Sequence, residues 1–497
     1  MKHSIFIRLT ALLLTALMCA GFAACSSGGD EAVTTTAAAG ETTAAESELT
    51  PEEQRNAISD DLPERDFDGY NYRFYWFGTD FEYDPEAETG DVINDAAFTR
   101  NRIIEERFNI EITNTCSGDS WSGHTTAVRN SVLAGEEAFD VTFDHIIGGP
   151  NNSLEGIYLN FYDIPYIDFD KPWWQDNAVK EMTVLDQMYC STNDYLFSGI
   201  GSCKIIYVNR DRLEDYNLEI PYQEVHDHKW TFDMLINLTK DVYEDVNGDG
   251  KTDNGDFYGY ISHASQNGFL LSFEVPILTK SDEHGIEITV NSEKTVDFFN
   301  KVYDWYYNSI GTNIISGNDP ETKISESAWQ MKLFSEARSL FAFGHVSYAG
   351  STLRTSDVNY GFLPFPLWDE NQDTYITFCG GILLSIPITC SDTERAGIIF
   401  EAMSAEGYKQ LVPAYFETAM KEKFTYDNES VQMLDLINST RGISFAYAYD
   451  NWEGFGHMTR NVTVDYKNNF ASYYASRISS ATARIEKIAS FFEAHAS

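Results

Sequence analysis

The residues from Asp245 to Asp256 read DVNGDGKTDNGD and carry the sharpest local chemistry in this sequence. Oxygen-bearing side chains fall at the first, third, fifth, ninth and twelfth places, which are Asp245, Asn247, Asp249, Asp253 and Asp256. Gly250 stands sixth, where the chain must bend sharply, and Lys251 stands seventh, where a backbone carbonyl serves. This is the spacing of a calcium loop, in which alternate side chains turn toward one ion. The twelfth residue is Asp rather than Glu, so the last arm is shorter. The segment follows a helical pattern but leads into the strand-like run Phe257–Ile261, so the expectation is a structural Ca²⁺ site and not a paired sensor. An unmetallated Asp/Asn/Gly turn is the other reading of the same residues.

Catalytic arrangements are missing from the sequence. There is no Gly-x-Ser-x-Gly elbow, no His-Glu-x-x-His helix, no phosphate loop and no dinucleotide fingerprint. His226 and His228 lie two apart before Trp230, as a solvated turn would place them. With 77 acidic residues, carboxylate pairs of glycosidase type arise by chance, so a secreted glycoside hydrolase stays open as an alternative. The expectation is of a protein that is no enzyme and has no catalytic residues.

Aromatic rings make up 14% of the chain, and several stand beside glycines and polar groups: Trp76 before Gly78, Trp121 with Gly123 and His124, the pair Trp173 and Trp174, and Trp452 with Gly454 and Gly456. Flat rings offer apolar faces to the C–H faces of sugars, while neighbouring amides and carboxylates fix hydroxyls. Most such rings serve as core, and Trp173 after Pro172 reads equally as a packing anchor. The formal net charge of −43 repels phosphate backbones, which argues against a nucleic-acid partner.

Lys2 and Arg8 precede an apolar run from Leu9 to Ala20, and small residues lead to Cys25. That is a secretory signal over residues 1–24 with a lipid-attachment cysteine at Cys25, similar to the bacterial lipobox. The stretch 25–66 opens with Ser, Thr, Ala, Gly and Glu and is read as a disordered tether. Beyond it, five cysteines remain: Cys116, Cys190, Cys203, Cys379 and Cys390. An odd number argues against a full disulfide framework; Cys190 with Cys203, or Cys379 with Cys390, could pair, and lone buried thiols are the other reading.

These groups need a scaffold, and the periodicity supplies one. Tyr72, Phe74 and Trp76 alternate as on a strand, Ile93 to Phe108 follow helical spacing, and Ile110–Thr113 and Phe139–Asp144 read as strands. Strand, helix, strand is the order of a parallel sheet with helical crossovers. Lys204–Val208 reads as a further strand, Thr231–Glu244 as a helix capped by Thr231, and Tyr474–Phe492 as a long amphipathic helix. The chain is too long for one core, so two domains are expected.

Several segments taken together resemble family 1 extracellular solute-binding proteins, the sugar-binding lipoprotein group similar to maltose-binding protein. They are the lipobox, Pro172–Trp174, Ile206–Asp211, the helix running into the calcium-like loop, Tyr360–Pro364 and Gly380–Pro387, in that order along the chain. The resemblance implies a two-lobe α/β fold of the type II periplasmic-binding-protein kind, with three hinge crossings near Gly199–Lys204, Phe378–Ser385 and Val412–Tyr415. The first lobe would hold residues 67–200 and 380–412, and the second 201–379 and 413–497. It also implies a substrate-binding set of Trp76, Asp144, Asn267, His345, Tyr348, Gly380 and Trp452. The implied function is capture of a mono- or oligosaccharide in the interlobe cleft and delivery to ABC permease subunits. The protein would be a monomer, lipid-anchored on the outer face of a Gram-positive cell membrane. A sugar-binding sensor or adhesin without transport is the remaining alternative.

Overall fold

The computed structural model describes residues 50–78, 84–118, 120–264, 268–281, 285–415, 428–449, 454–463 and 467–496. Cys25, Asn267 and Trp452 lie outside these residues. From Pro51 onward the chain forms one compact unit, built around two separate sheets, so residues 51–66, expected in the disordered tether, are folded, with a helix at Pro51–Asn56 and buried Asp60 paired with Arg107.

The first sheet starts with β1 (Tyr70–Trp76), whose alternate residues Tyr72, Phe74 and Trp76 are buried as a two-residue period requires. Strand β2 (Ile110–Cys116) pairs with it in parallel, Tyr70 opposite Ile110, and β3 (Val141–His145) pairs on its other side. The helix Val92–Phe108 makes the crossover between β1 and β2. Asp91 caps its start by accepting the amides of Ile93 and Asn94, and Asn109 ends it in the left-handed conformation at φ 48°.

The second sheet uses β4 (Lys204–Asn209), β5 (Tyr243–Glu244), β6 (Phe257–His263), β9 (Thr312–Ile315), β10 (Ser339–His345) and β11 (Tyr360–Leu363) in the order β11-β4-β10-β6-β5, with β9 also on β6. Between them β7 (Leu278–Ser281) and β8 (Gly285–Ile288) form a separate antiparallel pair. The helix expected over Thr231–Glu244 is shorter, Phe232–Thr239, although Thr231 caps it as expected. Gly259 and Gly311 press against the Thr239 carbonyl, where a Cβ on either would sit at 2.2 or 1.8 Å. The backbone therefore turns there, and Tyr243–Glu244 joins the sheet edge instead.

Three further short strands complete the frame: β12 (Thr377–Phe378), β13 (Ile382–Ser385) and β14 (Arg441–Gly442). Strand β13 returns to the first sheet, antiparallel to β3, while β12 pairs with β14. The chain thus leaves the first lobe through Gly201–Cys203 into β4 and comes back through Cys379–Gly381 into β13. It leaves again after the helical turn Gly407–Leu411, since Val412 and Tyr415 pack in a second-lobe core. At this waist Cys203 and Cys379 face each other across an isolated antiparallel bridge. The five described cysteines are free thiols, so neither Cys190–Cys203 nor Cys379–Cys390 is a pair.

The expectation that 413–497 belongs wholly to the second lobe needs correction. The last helix, Phe470–His495, buries Phe470, Tyr473 and Ala481 in the second-lobe core, and Ile488 and Phe492 in the first. Gln187 of the first lobe donates to the Phe492 carbonyl at 2.8 Å, which holds the far end of the helix there. Its apolar stripe therefore packs against both cores.

Buried polar groups mark the joints. Trp173 and Trp174 are both core, and their indole N–H groups donate to the two oxygens of buried Glu401 at 2.6 and 2.9 Å. Asp194 of the first lobe and Arg441 of β14 are both buried and meet at 2.6 Å, and Gln175 also donates to Asp194 at 2.8 Å. Arg441→Met strands a buried carboxylate and is expected to cost roughly 3 to 5 kcal/mol by chemical denaturation, with part of the loss recovered in the Arg441→Met/Asp194→Leu double variant.

Asp144 is fully buried in the first lobe, where Tyr158 donates to its Oδ2 at 2.7 Å, while its Oδ1 lies 3.6 Å from His124 Nε2 and has no hydrogen-bond partner among the described residues. Burial pushes its pKa up from 3.8 to about 7. The folded state therefore holds this proton more tightly than the unfolded chain. The stabilisation is complete below pH 3.8 and is lost as pH rises to about 7. Asp144→Asn removes the titration, so its thermal-denaturation midpoint is expected to gain on the parent's progressively across that window and to keep a constant lead above it.

Candidate ligand-binding cleft

Where the crossings meet, a cavity of about 450 Å³ opens between the lobes. Its floor is Gly380 and Gly381 of the second crossing. The Gly381 carbonyl accepts the Ile146 amide at 2.8 Å, which ties this floor to the first lobe. The first lobe supplies His145 and Ile146 at the end of β3, and the second supplies Lys204, His345 and Phe378. Tyr447, His457, Arg460 and Asn461 close the far side. A neighbouring cavity of about 470 Å³ shares Ser202 and His345 with it and runs toward Phe197 and the start of the helix Val92–Phe108, near Asp91 and Asn94.

Strand register places the central pair. Lys204 opens β4 and His345 ends β10, directly opposite each other, and Lys204 Nζ hydrogen-bonds His345 Nε2. An ammonium only donates, so His345 Nε2 accepts and the proton of a neutral ring sits on Nδ1. Tyr207 donates to the His345 carbonyl at 2.7 Å and pins the strand end. The Tyr348 ring rests on the His345 ring at 5.3 Å and lines neither cavity. Across the cleft the His145 ring stacks on Trp121 at 4.8 Å, and His457 lies against Tyr447 at 4.1 Å. Ser202 Oγ is buried with no hydrogen-bond partner among the described residues.

Burial sets the charges. His145 and His457 are pushed down to about 4 by desolvation, and His345 is lowered by desolvation and then by Lys204 and His263. All three rings are neutral at pH 7. Desolvation also lowers Lys204, to about 8, which leaves it mostly an ammonium. Arg460 pairs with Glu326 at 2.9 Å.

Of the seven substrate-binding residues expected from the sequence, Gly380 and His345 line the cleft, and Tyr348 backs His345. Trp76 and Asp144 do not line it. Trp76 is 6% exposed, packs in the first-lobe core and donates to Asn114 Oδ1 at 3.3 Å. Asp144 misses by one residue: side chains alternate along β3, so Asp144 turns into the core and His145 into the cleft. Lys204, His145, His457 and Arg460 were not foreseen. A lysine heading the apolar run Lys204–Val208 is the one signal that could have revealed Lys204.

The loop Asp245–Asp256 stands apart from the cleft. Asp245 accepts the amides of Gly248 at 2.7 Å and Gly250 at 3.0 Å, Asn247 accepts that of Asp249 and Asp249 that of Lys251. Asp253 accepts the Gly255 amide at 2.7 Å. Asp256 is fully buried; its Oδ2 takes the Tyr243 hydroxyl at 2.8 Å, and its Oδ1 has no hydrogen-bond partner among the described residues. Among the described residues no three His, Cys, Asp or Glu side chains converge as a metal site. The oxygen-only donor set and the orphaned carboxylate oxygen of Asp256 do fit a hard cation such as Ca²⁺.

No protein-family model matches the chain, and no curated protein does. Solved structures do. A solute-binding protein of an ABC transporter from Agrobacterium radiobacter K84, in complex with ribitol, aligns at TM-score 0.53 and 11% identity over 84% of this chain and 100% of its own. The ABC substrate-binding protein Lmo0181 from Listeria monocytogenes, in complex with cycloalternan, aligns at 0.52 and 12% over the same shares. UspC from M. tuberculosis aligns at 0.51 and 13%, over 83% of this chain and 100% of its own. The chain therefore has the two-lobe, type II α/β fold of ABC transporter substrate-binding proteins.

Proposed function

We propose that this protein is the substrate-binding lipoprotein of an ABC importer, which captures a carbohydrate between its lobes and delivers it unaltered to permease subunits. The observation that carries the reading is the cavity at the crossings, floored by Gly380 and Gly381 and walled by hydrogen-bonding side chains and the rings of Phe378 and Tyr447. Its volume, about 450 Å³, lies in the range of small-molecule sites. Two proteins of the same fold are described in complex with ribitol and cycloalternan, both rich in hydroxyls. Cys25, ahead of a polar tether, would carry the lipid that holds the protein at the outer membrane face, where it acts as a monomer. Closure of the lobes would bury the guest, and nothing in this role requires a bond to break.

Calorimetry against a panel of neutral, acidic and phosphorylated mono- and oligosaccharides is expected to give heat with at least one member, and none with peptides or polyamines. Gly380→Val puts a branched side chain against the Phe378 ring, already 3.2 Å from a Cβ at that position, and should weaken binding about tenfold or more. Heat from peptides alone, or turnover of a chromogenic glycoside, would overturn the assignment.

The loop Asp245–Asp256 is proposed to hold a structural Ca²⁺. Asp245, Asn247, Asp249, Asp253 and Asp256 would supply side-chain oxygens, and Lys251 its carbonyl. The ion would neutralise the buried Asp256 carboxylate. Added calcium should raise the thermal midpoint by several degrees and EDTA should lower it; a midpoint indifferent to both rules the ion out.

A further inference from the structure

The chain carries 77 acidic and 34 basic residues, a ratio above two to one. The cavity at the crossings reverses that balance. Among the described residues its lining includes Lys204, Arg460, His145, His345 and His457, and no Asp or Glu. In the adjoining cavity the single described acid is Asp91, whose carboxylate is committed to capping a helix.

Lys204 is the group that needs explaining. Its ammonium bonds to a neutral imidazole, and among the described residues no carboxylate lies within ion-pair distance of it. Holding a partly desolvated cation without an anion is unfavourable, and such groups are normally paired or bind a ligand. The depressed Lys204 pKa is the same cost seen as proton affinity. Arg460 adds a second cation, partly offset by Glu326. A fully neutral sugar would bury Lys204 further on closure and leave its charge uncompensated. A cationic guest would be repelled.

We propose that the carbohydrate bound here bears an anionic group, a carboxylate or a phosphate, that is received by Lys204 and Arg460. The inference rests on the carbohydrate reading and narrows it. The anion would be held by charge-assisted hydrogen bonds from both cations, and the neutral imidazoles of His145, His345 and His457 with Ser202 Oγ would serve the ring hydroxyls. The surrounding negative surface would slow encounter with such a ligand, so discrimination must come from contacts inside the cleft rather than from long-range steering.

The test is calorimetry on the purified protein with matched probes: glucose, glucuronate and glucose 6-phosphate, then galactose, galacturonate and galactose 6-phosphate, then disaccharides with and without a uronate. An anionic member should bind about tenfold or more tightly than its neutral counterpart, with affinity falling as salt is raised. The uronate and phosphate arms separate the two sources of charge. Lys204→Gln should bring the anionic affinity down toward that of the neutral sugar; if that variant does not fold, Arg460→Gln with the salt dependence of the parent reads the same interaction. Neutral sugars binding as well as or better than their anionic partners would overturn this proposal and leave the carbohydrate reading standing. Inorganic phosphate or acetate binding as tightly as the sugar anions would instead sink the carbohydrate reading and keep the cationic chamber. A panel in which no member binds overturns both.

Discussion

The waist of the molecule depends on one buried ion pair. Asp194 comes from the first lobe and Arg441 from β14, and they meet at 2.6 Å with almost no exposure to water. In a low-dielectric setting such a pair contributes little net stability, but breaking it is costly because either charge alone has nowhere to go. Its effect here is positional. Arg441 stands opposite Thr377 in the β12–β14 pair, and β12 leads through Cys379 to the glycine floor of the cleft. Asp194 thereby adds, through a few residues, to the direct Ile146–Gly381 hydrogen bond in setting where Gly380 and Gly381 lie relative to the first sheet.

A second tie is the long helix Phe470–His495, which places one end in each core. A hinge of three short crossings would leave the lobes free to twist as well as close. A helix packed into both cores adds a contact between them beyond the crossings. The Cys203–Cys379 bridge lies between the same two lobes. Both thiols are buried, and burial raises that of Cys203 well above its ordinary range, which makes them packing elements rather than reactive ones.

The cleft follows from these constraints. Its reactive-looking groups are neutral because they are desolvated: His145 and His457 lose their charge to burial, and His345 to burial and to Lys204. Asp144 and Glu401 are each held near 7 by burial as well, yet they face cores, Asp144 toward Tyr158 and Glu401 toward two indoles. A shifted pKa therefore does not by itself mark a site in this protein. What distinguishes Lys204 is its position at a strand start that opens on a cavity.

Local pattern alone located the strands read at Tyr70–Trp76, Ile110–Thr113 and Lys204–Val208, the helix read over Ile93–Phe108 and the Thr231 cap, each within a few residues of its observed bounds, because alternation, helical spacing and capping are interactions between near neighbours. It also revealed the oxygen spacing of the Asp245–Asp256 loop. The two-lobe architecture came from the order of several weak segments rather than from any one of them. Tertiary structure decided the rest. A register one residue different exchanged Asp144 for His145, since a strand turns successive side chains to opposite faces. Trp76 went to the core because its strand is covered on that side, and the last helix joined both lobes because its stripe outruns one core. Lys204, His457 and Arg460 meet only when segments separated by more than 250 residues close on each other, a proximity that no local pattern records.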